Sequence, residues 1–304
     1  MIRFLTTICA TLFLGSPALS QALIVHDVAE GVWAIEGPAE QRNAQNLGNN
    51  ATFGLIETEQ GAVLVDTGGS RKGAEALHAV IATLTDHPVT HVINTGGQDH
   101  RWIANAYWQD LGATVIASQD AVRDQSARQS MQMTVLSTFL GDALEGTDGA
   151  TADITFATDY TLSTGGRVIE LHHPAGAHTP GDTVVWLPQE RVVFTGDIVY
   201  VGRILGVMDV SNSAAWLDAF AAVEALDPVV LVPGHGPATT LAVAQADTRD
   251  YLANLRDKIG AHIDAGGDII ESVMVDQSAF SYLDQFDALA GRNAQAVFEA
   301  MEWE

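Results

Sequence analysis

The chain has 304 residues, of which 14 are Lys or Arg and 38 are Asp or Glu, so its formal net charge is −24. Hydrophobic residues make up 47% of the chain and charged residues only 17%, which indicates a packed globular protein and excludes extended disorder. Nucleic-acid binding is also excluded, because it requires a surplus of Lys and Arg to displace counterions from phosphates. The negative charge is typical of a solvated surface.

Residues 1–20 are predicted to be an export signal. Arg3 precedes an apolar run over residues 4–14, and Ala18 and Ser20 supply small residues at the positions that a signal peptidase reads, so cleavage is expected near 20–22. The apolar run is too short to span a bilayer, and a retained N-terminal anchor is the alternative. The mature protein is therefore expected in the periplasm or outside the cell, without membrane association after cleavage.

The remainder, residues 21–304, is predicted to form a single mixed α/β domain, because no linker rich in Pro, Gly or Ser divides it. Runs of apolar and β-branched residues predict strands, in chain order, at 23–25, 32–35, 52–56, 62–65, 90–94 and 113–116, then near 153–156, 166–172, 183–187, 191–195 and 228–232. Helical periodicity predicts helices at 71–85, about 119–140, 213–225, about 242–264 and 278–301. The only cysteine, Cys9, lies in the signal, so disulfides and thiolate ligands are excluded from the mature protein.

Residue types that bind metals or protons follow the ends of several predicted strands. A lone Asp or His after a strand is usually a structural turn, but loops at one edge of a sheet converge in space, so five such segments in order indicate a site. The residues concerned are Asp66, Asp99, His100, His178, Asp197 and His235.

These segments resemble, in order, the conserved turns of the metallo-β-lactamase superfamily. The resemblance covers essentially the whole mature chain and implies a four-layer αββα sandwich. Within this superfamily, the chain most resembles exported quinoprotein relay system metallohydrolases. That resemblance lies in the general sequence character of the N-terminal strands, of Asn49-Asn50 and of the C-terminal helices. The matching segments are Leu-Val-Asp-Thr-Gly-Gly at 64–69, Asn-Thr at 94–95, His-Thr-Pro-Gly at 178–181, Phe-Thr-Gly-Asp at 194–197 and Val-Pro-Gly-His-Gly at 232–236.

The metal loop departs from the pattern of the family. The motif His-x-His-x-Asp-His is matched here by Gly-Gly-Gln-Asp-His at 96–100, so Gly96 and Gln98 replace both histidines of the first metal site. That site is expected to be empty or weak, because zinc needs three or four protein ligands. The resemblance implies an intact second site, whose expected ligands are Asp99, His100, Asp197 and His235.

One metal ion per chain is therefore expected, with Zn²⁺ suiting the ligand types and Mn²⁺ or Fe²⁺ as alternatives. His178 remains from the first site and is expected to be a weaker metal ligand and to act as general base. Asp99 is also expected to be a catalytic residue. His172 and His173 are alternative replacement ligands. Asp66 is expected behind the site, holding the metal loop through hydrogen bonds.

The resulting hypothesis is an exported metal-dependent hydrolase that acts on an ester, lactone, thioester or amide of a small-molecule substrate. One alternative is a non-catalytic pseudoenzyme that binds a small ligand or partner through the remnant pocket. A redox accessory protein is the other. The sequence defines neither the substrate nor the oligomeric state.

Overall fold

The computed structural model describes residues 22–304, which contain two β-sheets; the predicted export signal lies outside the described residues. The first sheet has the order β1-β2-β3-β4-β5-β6-β7, formed by β1 (Ile24–Ala29), β2 (Val32–Glu36), β3 (Thr52–Thr58), β4 (Gly61–Val65), β5 (Val89–Ile93), β6 (Thr114–Ser118) and β7 (Ile154–Phe156). The second has the order β12-β11-β10-β9-β8, formed by β8 (Asp159–Thr164), β9 (Arg167–His172), β10 (Val184–Leu187), β11 (Val192–Phe194) and β12 (Val230–Val232).

The helices cover the outer faces of both sheets. They are α1 (Arg71–Ile81), α2 (Asp99–Trp102), α3 (Asn105–Asp110), α4 (Gln119–Leu140), α5 (Ser213–Ala225), α6 (Leu241–Ala244), α7 (Asp250–Asp264) and α8 (Phe286–Met301). Within residues 22–304, no helix combines the length and apolar character needed to cross a membrane.

Three buried clusters of apolar side chains separate the four layers. One lies between the sheets, where residues such as Ile56 and Val63 pack in the same cluster as Leu171 and Val185. The second joins the outer face of the first sheet to α1 and α3, and the third joins the second sheet to α5, α7 and α8. Strands that are covered on both faces read as continuous apolar runs, which is why β3 and β4 were recognisable. The predicted four-layer αββα sandwich is confirmed.

Strand direction brings the candidate site residues to one edge of the sandwich. Strands β4 to β7 are parallel to one another, as are β11 and β12, while the remaining pairs are antiparallel. The loops that follow β4 and β5 therefore leave the first sheet at one edge, and those after β11 and β12 leave the second together. A hydrogen bond of 2.8 Å from the Thr52 amide to the Gly234 carbonyl joins the two edges.

The predicted helix at 242–264 is interrupted in the structure. A π-helical turn, Gln245–Arg249, separates α6 from α7. Within it, Thr248 Oγ1 accepts a hydrogen bond from the Tyr200 amide at 2.9 Å, and Asp247 accepts one from the Gly202 amide at 2.9 Å. Widened turns of this kind often occur at functional sites. This one fixes the backbone of residues 200–202 beside the candidate site.

The helix predicted at 278–301 is shorter than expected. A 3₁₀ turn, Ser278–Phe280, comes first, and Gln285 adopts a left-handed conformation (φ 64°) before α8 begins at Phe286. A left-handed residue cannot continue an α-helix, so the chain changes direction there. The predicted helix at 71–85 likewise ends early, at Ile81.

Candidate metal centre

The structure brings His100, Asp197 and His235 together. All three side chains are buried, and one potential ligand atom from each lies within 4.8 Å of the others. Nε2 of His235 is 3.1 Å from Oδ1 of Asp197, and Nε2 of His100 is 3.3 Å from Oδ2 of the same carboxylate. Two imidazoles and one carboxylate are a ligand set that zinc uses in catalytic sites, where a fourth position stays open.

Tight loops bring these three residues together. Asp197 lies in the 3₁₀ turn Gly196–Ile198 after β11, and His235 follows β12 through Gly234. A Cβ atom added at Gly234 would lie 2.4 Å from the carbonyl oxygen of Gly196, so only glycine allows the two loops to approach this closely. His100 belongs to α2, the short helix that follows the metal loop.

Hydrogen bonding at the outer ring nitrogen of His235 fits this histidine to a cation. Nδ1 of His235 lies 2.7 Å from the Asn50 carbonyl, which only accepts, so this nitrogen carries the proton and Nε2 presents its lone pair to Asp197. Burial lowers the pKa of His235 well below its ordinary value, so Nε2 carries no proton at neutral pH. The contact between Nε2 and the Asp197 carboxylate therefore joins two hydrogen-bond acceptors. Nε2 of His100 is buried without a hydrogen-bond partner. A divalent cation would satisfy all of these atoms.

Asp99 lies outside this cluster. Its carboxylate accepts hydrogen bonds from Arg42, one of them from Nε at 2.9 Å, and its Oδ1 is 3.2 Å from Nδ1 of His100. Although burial opposes it, the Arg42 guanidinium holds the pKa of Asp99 well below its usual range. The geometry therefore makes Asp99 a residue that orients the His100 ring from the side opposite Asp197.

The position of His100 corrects the reading of the motif by one residue. If Gly96 and Gln98 occupy the two histidine positions of His-x-His-x-Asp-His, the last two positions fall on residues 100 and 101. His100 then replaces the aspartate of the motif, and Arg101 replaces its final histidine. This register explains why the His100 ring, and not the carboxylate of Asp99, faces Asp197.

Arg101 is the functional residue that sequence reasoning missed. Its side chain is fully buried, with Nη2 2.7 Å from Oδ1 of Asp197 and Nη1 2.8 Å from Oδ2 of Asp66. It also donates to the carbonyl of Gly234. Asp66 in turn accepts a hydrogen bond of 2.8 Å from the Thr95 amide, so it lies behind the site as expected. One guanidinium thus joins three of the loops that form the site.

The space beside the first metal site is filled by a side chain. A Cβ atom at Gly96 would lie 2.5 Å from Oδ1 of Asp182, so no larger residue fits there without displacing this carboxylate. Asp182 is fully buried and accepts hydrogen bonds from the amide of Thr179 at 2.8 Å and from its hydroxyl at 2.5 Å. The glycine at this position is therefore matched to a buried carboxylate that packs against it.

His178 lines a cavity together with His100 and His235 but does not belong to their cluster. Nδ1 of His178 donates to the Gly206 carbonyl at 2.9 Å, and burial lowers the pKa of its ring to about 4. The proposed replacements do not reach the cluster, because His173 bonds to the Asp182 carbonyl and His172 to the carboxylate of Asp159.

Burial raises the pKa of Asp182 to about 7, from an ordinary value of 3.8. Because the unfolded chain loses this proton first, the contribution of Asp182 to stability should decline as pH rises between these values, by at most about 1.4 kcal/mol per pH unit. An asparagine does not titrate, so we expect the free energy of unfolding of Asp182→Asn, measured by urea denaturation, to rise relative to that of wild type as the pH is raised from 5 to 8. The exposed control Asp257→Asn should show no such pH-dependent gain, and an equal response of both variants would contradict the prediction.

The fold and this site define the family. The model of the metallo-beta-lactamase superfamily matches residues 48–235, and the chain belongs to that superfamily. Among solved structures, a metallo-beta-lactamase from Pontibacter korlensis is 26% identical and superimposes with a TM-score of 0.60 over 76% of this chain and 99% of its own. The inverting sec-alkylsulfatase Pisa1 from Pseudomonas sp. has a TM-score of 0.70 at 17% identity, over 90% of this chain and 49% of its own, which shows likeness of fold alone.

Curated relatives match over shorter stretches. The alpha subunit of 2,4-dinitroanisole O-demethylase from Nocardioides sp. (strain JS1661) is 26% identical over 59% of this chain. A type 2 metallo-beta-lactamase from Bacteroides fragilis is 29% identical over 27% of this chain. The matches span 51% and 34% of the lengths of these two relatives.

Proposed function

We propose that this protein is an exported, single-metal hydrolase that cleaves an ester, lactone, thioester or amide in a small molecule. The observation that carries this proposal is the buried cluster of His100, Asp197 and His235, in which three ligand atoms face one another. Membership in a superfamily with hydrolytic members supports the same reaction class. Export to the periplasm or beyond is proposed from the N-terminal sequence pattern alone.

The three clustered residues would hold the metal, with Zn²⁺ proposed before Mn²⁺ or Fe²⁺. When bound, such an ion supplies Lewis acidity toward a carbonyl oxygen and lowers the pKa of water. The chain itself fixes each ring: the Asn50 carbonyl holds His235, and the carboxylate of Asp99 lies beside the outer nitrogen of His100. Arg101 holds Asp197 from behind, so its carboxylate cannot rotate away from the two imidazoles.

His178 is proposed as the general base. Its Nδ1 proton is committed to the Gly206 carbonyl, so the free lone pair is on Nε2. Burial lowers the pKa of the ring to about 4, so the ring is neutral at pH 7 and able to accept a proton, but it is a weaker base than an ordinary histidine. Gln98 lines the same cavity and can orient water only through hydrogen bonds, because an amide does not exchange protons at this pH.

Metal content tests the proposal directly. We expect purified mature protein to contain about one Zn²⁺-like ion per chain by elemental analysis, because one set of three ligands is assembled. Chelation should lower the melting temperature by several degrees, since metal bound only by the native state adds roughly 1–3 kcal/mol of stability. Two tightly held ions per chain, or an unchanged melting curve after demonstrated metal loss, would contradict it.

A non-catalytic binding protein is the second candidate. It is favoured by the hydrogen bond of 2.8 Å between Arg42 and Nδ1 of His100, because a ring that accepts there carries its proton on Nε2 and would bind metal poorly. Metal-loaded protein that is inactive on ester, lactone, thioester and β-lactam panels would favour this candidate over the hydrolase.

A further inference from the structure

We propose that Gln132, with Gln125 and Arg128 on the same helix, positions the metal centre by holding the metal loop against α4. This inference rests on the proposed function for the location of the metal site. It assigns a positioning role to α4, a helix that supplies none of the three clustered ligand atoms. The metal loop follows β5 and runs into α2, so its backbone leads directly to His100.

The start of the metal loop depends on contacts from outside it. Gly96 and Gly97 are adjacent, and glycine loses more backbone freedom on folding than any other residue. Gly96 and Gln98 also replace the two histidines through which a first metal ion would tie this stretch. Contacts from other elements must therefore offset the entropy cost of ordering the loop, and one of them is the bond from the Gly97 amide to the Thr179 hydroxyl at 3.0 Å.

Helix α4 supplies hydrogen bonds to the carbonyl oxygens of both glycines. Nε2 of Gln125 donates to the Gly96 carbonyl at 3.0 Å, and Nε2 of Gln132 donates to the Gly97 carbonyl at 2.8 Å. Arg128 adds a bond of 3.2 Å to the Gly97 carbonyl. These three donors are spaced by three and four positions, so they lie on one side of the helix. Both glutamines are buried, so water does not replace a bond that is lost.

Gln132 also holds the chain on the far side of His100. Its Oε1 accepts a hydrogen bond of 3.0 Å from Nε1 of Trp102, the last residue of α2. An indole N–H only donates and a carbonyl oxygen only accepts, so the carboxamide of Gln132 satisfies both partners in one orientation. A single buried side chain thus links Gly97 to Trp102, and His100 lies between these two fixed points.

Packing brings the loop close to the helix. A Cβ atom added at Gly97 would lie 1.9 Å from Oδ2 of Asp124, so only glycine allows this approach. Asp124 is itself paired with Arg128 one turn along α4. The backbone that leads to His100 is therefore fixed by protein contacts alone. Such preorganisation reduces what metal binding must spend on ordering the loop, so loss of these contacts should weaken the affinity for metal.

Zn²⁺ affinity, measured by competition with a chromophoric chelator, tests the proposal without requiring hydrolysis. We expect Gln132→Met to weaken Zn²⁺ binding roughly 10-fold, the lower end of the range for residues that support metal ligands, because Gln132 acts through the backbone. Gln125→Met removes only the bond to Gly96 and should weaken binding by a smaller factor, and it carries the test if Gln132→Met does not fold. The matched control is Gln129→Met, which should bind Zn²⁺ as wild type does. Gln129 lies on the same helix, but its amide donates to the Gly149 carbonyl at 3.2 Å, outside the metal loop.

Two further measurements separate positioning from a purely structural role. The visible absorption spectrum of Co²⁺-loaded protein reports the geometry of the ligands, and it should change in Gln132→Met but not in Gln129→Met. In chelated protein, the amides of residues 94–102 should exchange hydrogen faster in Gln132→Met than in Gln129→Met, because the loop opens locally. The proposal is overturned if Gln132→Met lowers the melting temperature but keeps the Zn²⁺ affinity and the Co²⁺ spectrum of wild type. Wild-type protein that binds no metal would overturn the proposed function as well, so the two failures are distinguishable.

Discussion

Arg101→Met is expected to lower the free energy of unfolding by about 3–5 kcal/mol, the usual cost of breaking a buried ion pair from one side. The guanidinium is completely buried and pairs with the carboxylates of Asp66 and Asp197. Methionine fills much of the volume but leaves both carboxylates without their counter-ion. In a domain of this size the melting temperature should fall by roughly 6–20 °C.

The matched control for this substitution is Arg123→Met. Arg123 pairs with Asp120 one turn away on α4, and its side chain is 70% exposed, so its removal should change stability by less than about 0.5 kcal/mol. Both variants should be unfolded in urea with and without chelator, because a bound cation would partly replace the lost charge beside Asp197. A fall of less than about 1 kcal/mol for Arg101→Met in chelated protein would show that the network around Arg101 is not needed for stability.

His235→Ala and His178→Ala are expected to separate metal binding from proton transfer. His235 supplies one of the three clustered ligand atoms. Residues that only hydrogen-bond to a metal ligand cost up to about 100-fold in metal affinity when they are replaced, so the loss of a ligand should cost more. Activity should be lost together with the metal. His178 lies outside that cluster. Its replacement should leave metal content intact and lower turnover by roughly 10²–10⁴-fold, as for a lost general base.

Elemental analysis and turnover on the best available substrate, measured on the same preparations, give the comparison. His262→Ala on α7 is the matched histidine control, because its ring bonds to the Asp268 carbonyl and does not belong to the cluster. If His178→Ala releases the metal, the metal site includes His178 and the assignment of the three ligands is wrong. If His235→Ala keeps its full metal content, the cluster is not the metal centre.

Much of the architecture was predictable because several strands of the two sheets, among them β4, β10 and β11, are buried on both faces. Continuous apolar runs such as Gly61–Val65 and Val184–Leu187 leave little doubt about strand identity. The short helices α2 and α3 were not predicted, since four and six residues are too few to establish helical periodicity. The π-helical turn was unpredictable because it depends on hydrogen bonds from a distant loop to Thr248 and Asp247.

The candidate site was only partly predictable. His100, Asp197 and His235 follow strands whose direction brings their ends together, so the sequence pattern was informative. The arginines were missed because a sequence pattern treats an Arg as a surface residue. Arg101 is buried only because Asp66 and Asp197 surround it, and Arg42 reaches His100 across 58 residues of chain. Such pairings appear only once the loops are assembled.

The bond between His235 and the Asn50 carbonyl has a consequence for the order of assembly. These residues are 185 positions apart, and a second link, from Thr52 to the Gly234 carbonyl, closes the same large loop. Contacts this distant in sequence form late in folding, because their closure entropy is compensated only when the intervening structure is already packed. We therefore expect the ring of His235 to acquire its orientation late in folding. A metal ion should find a competent site only in chains that have completed both sheets, so metal occupancy would report on the finished fold.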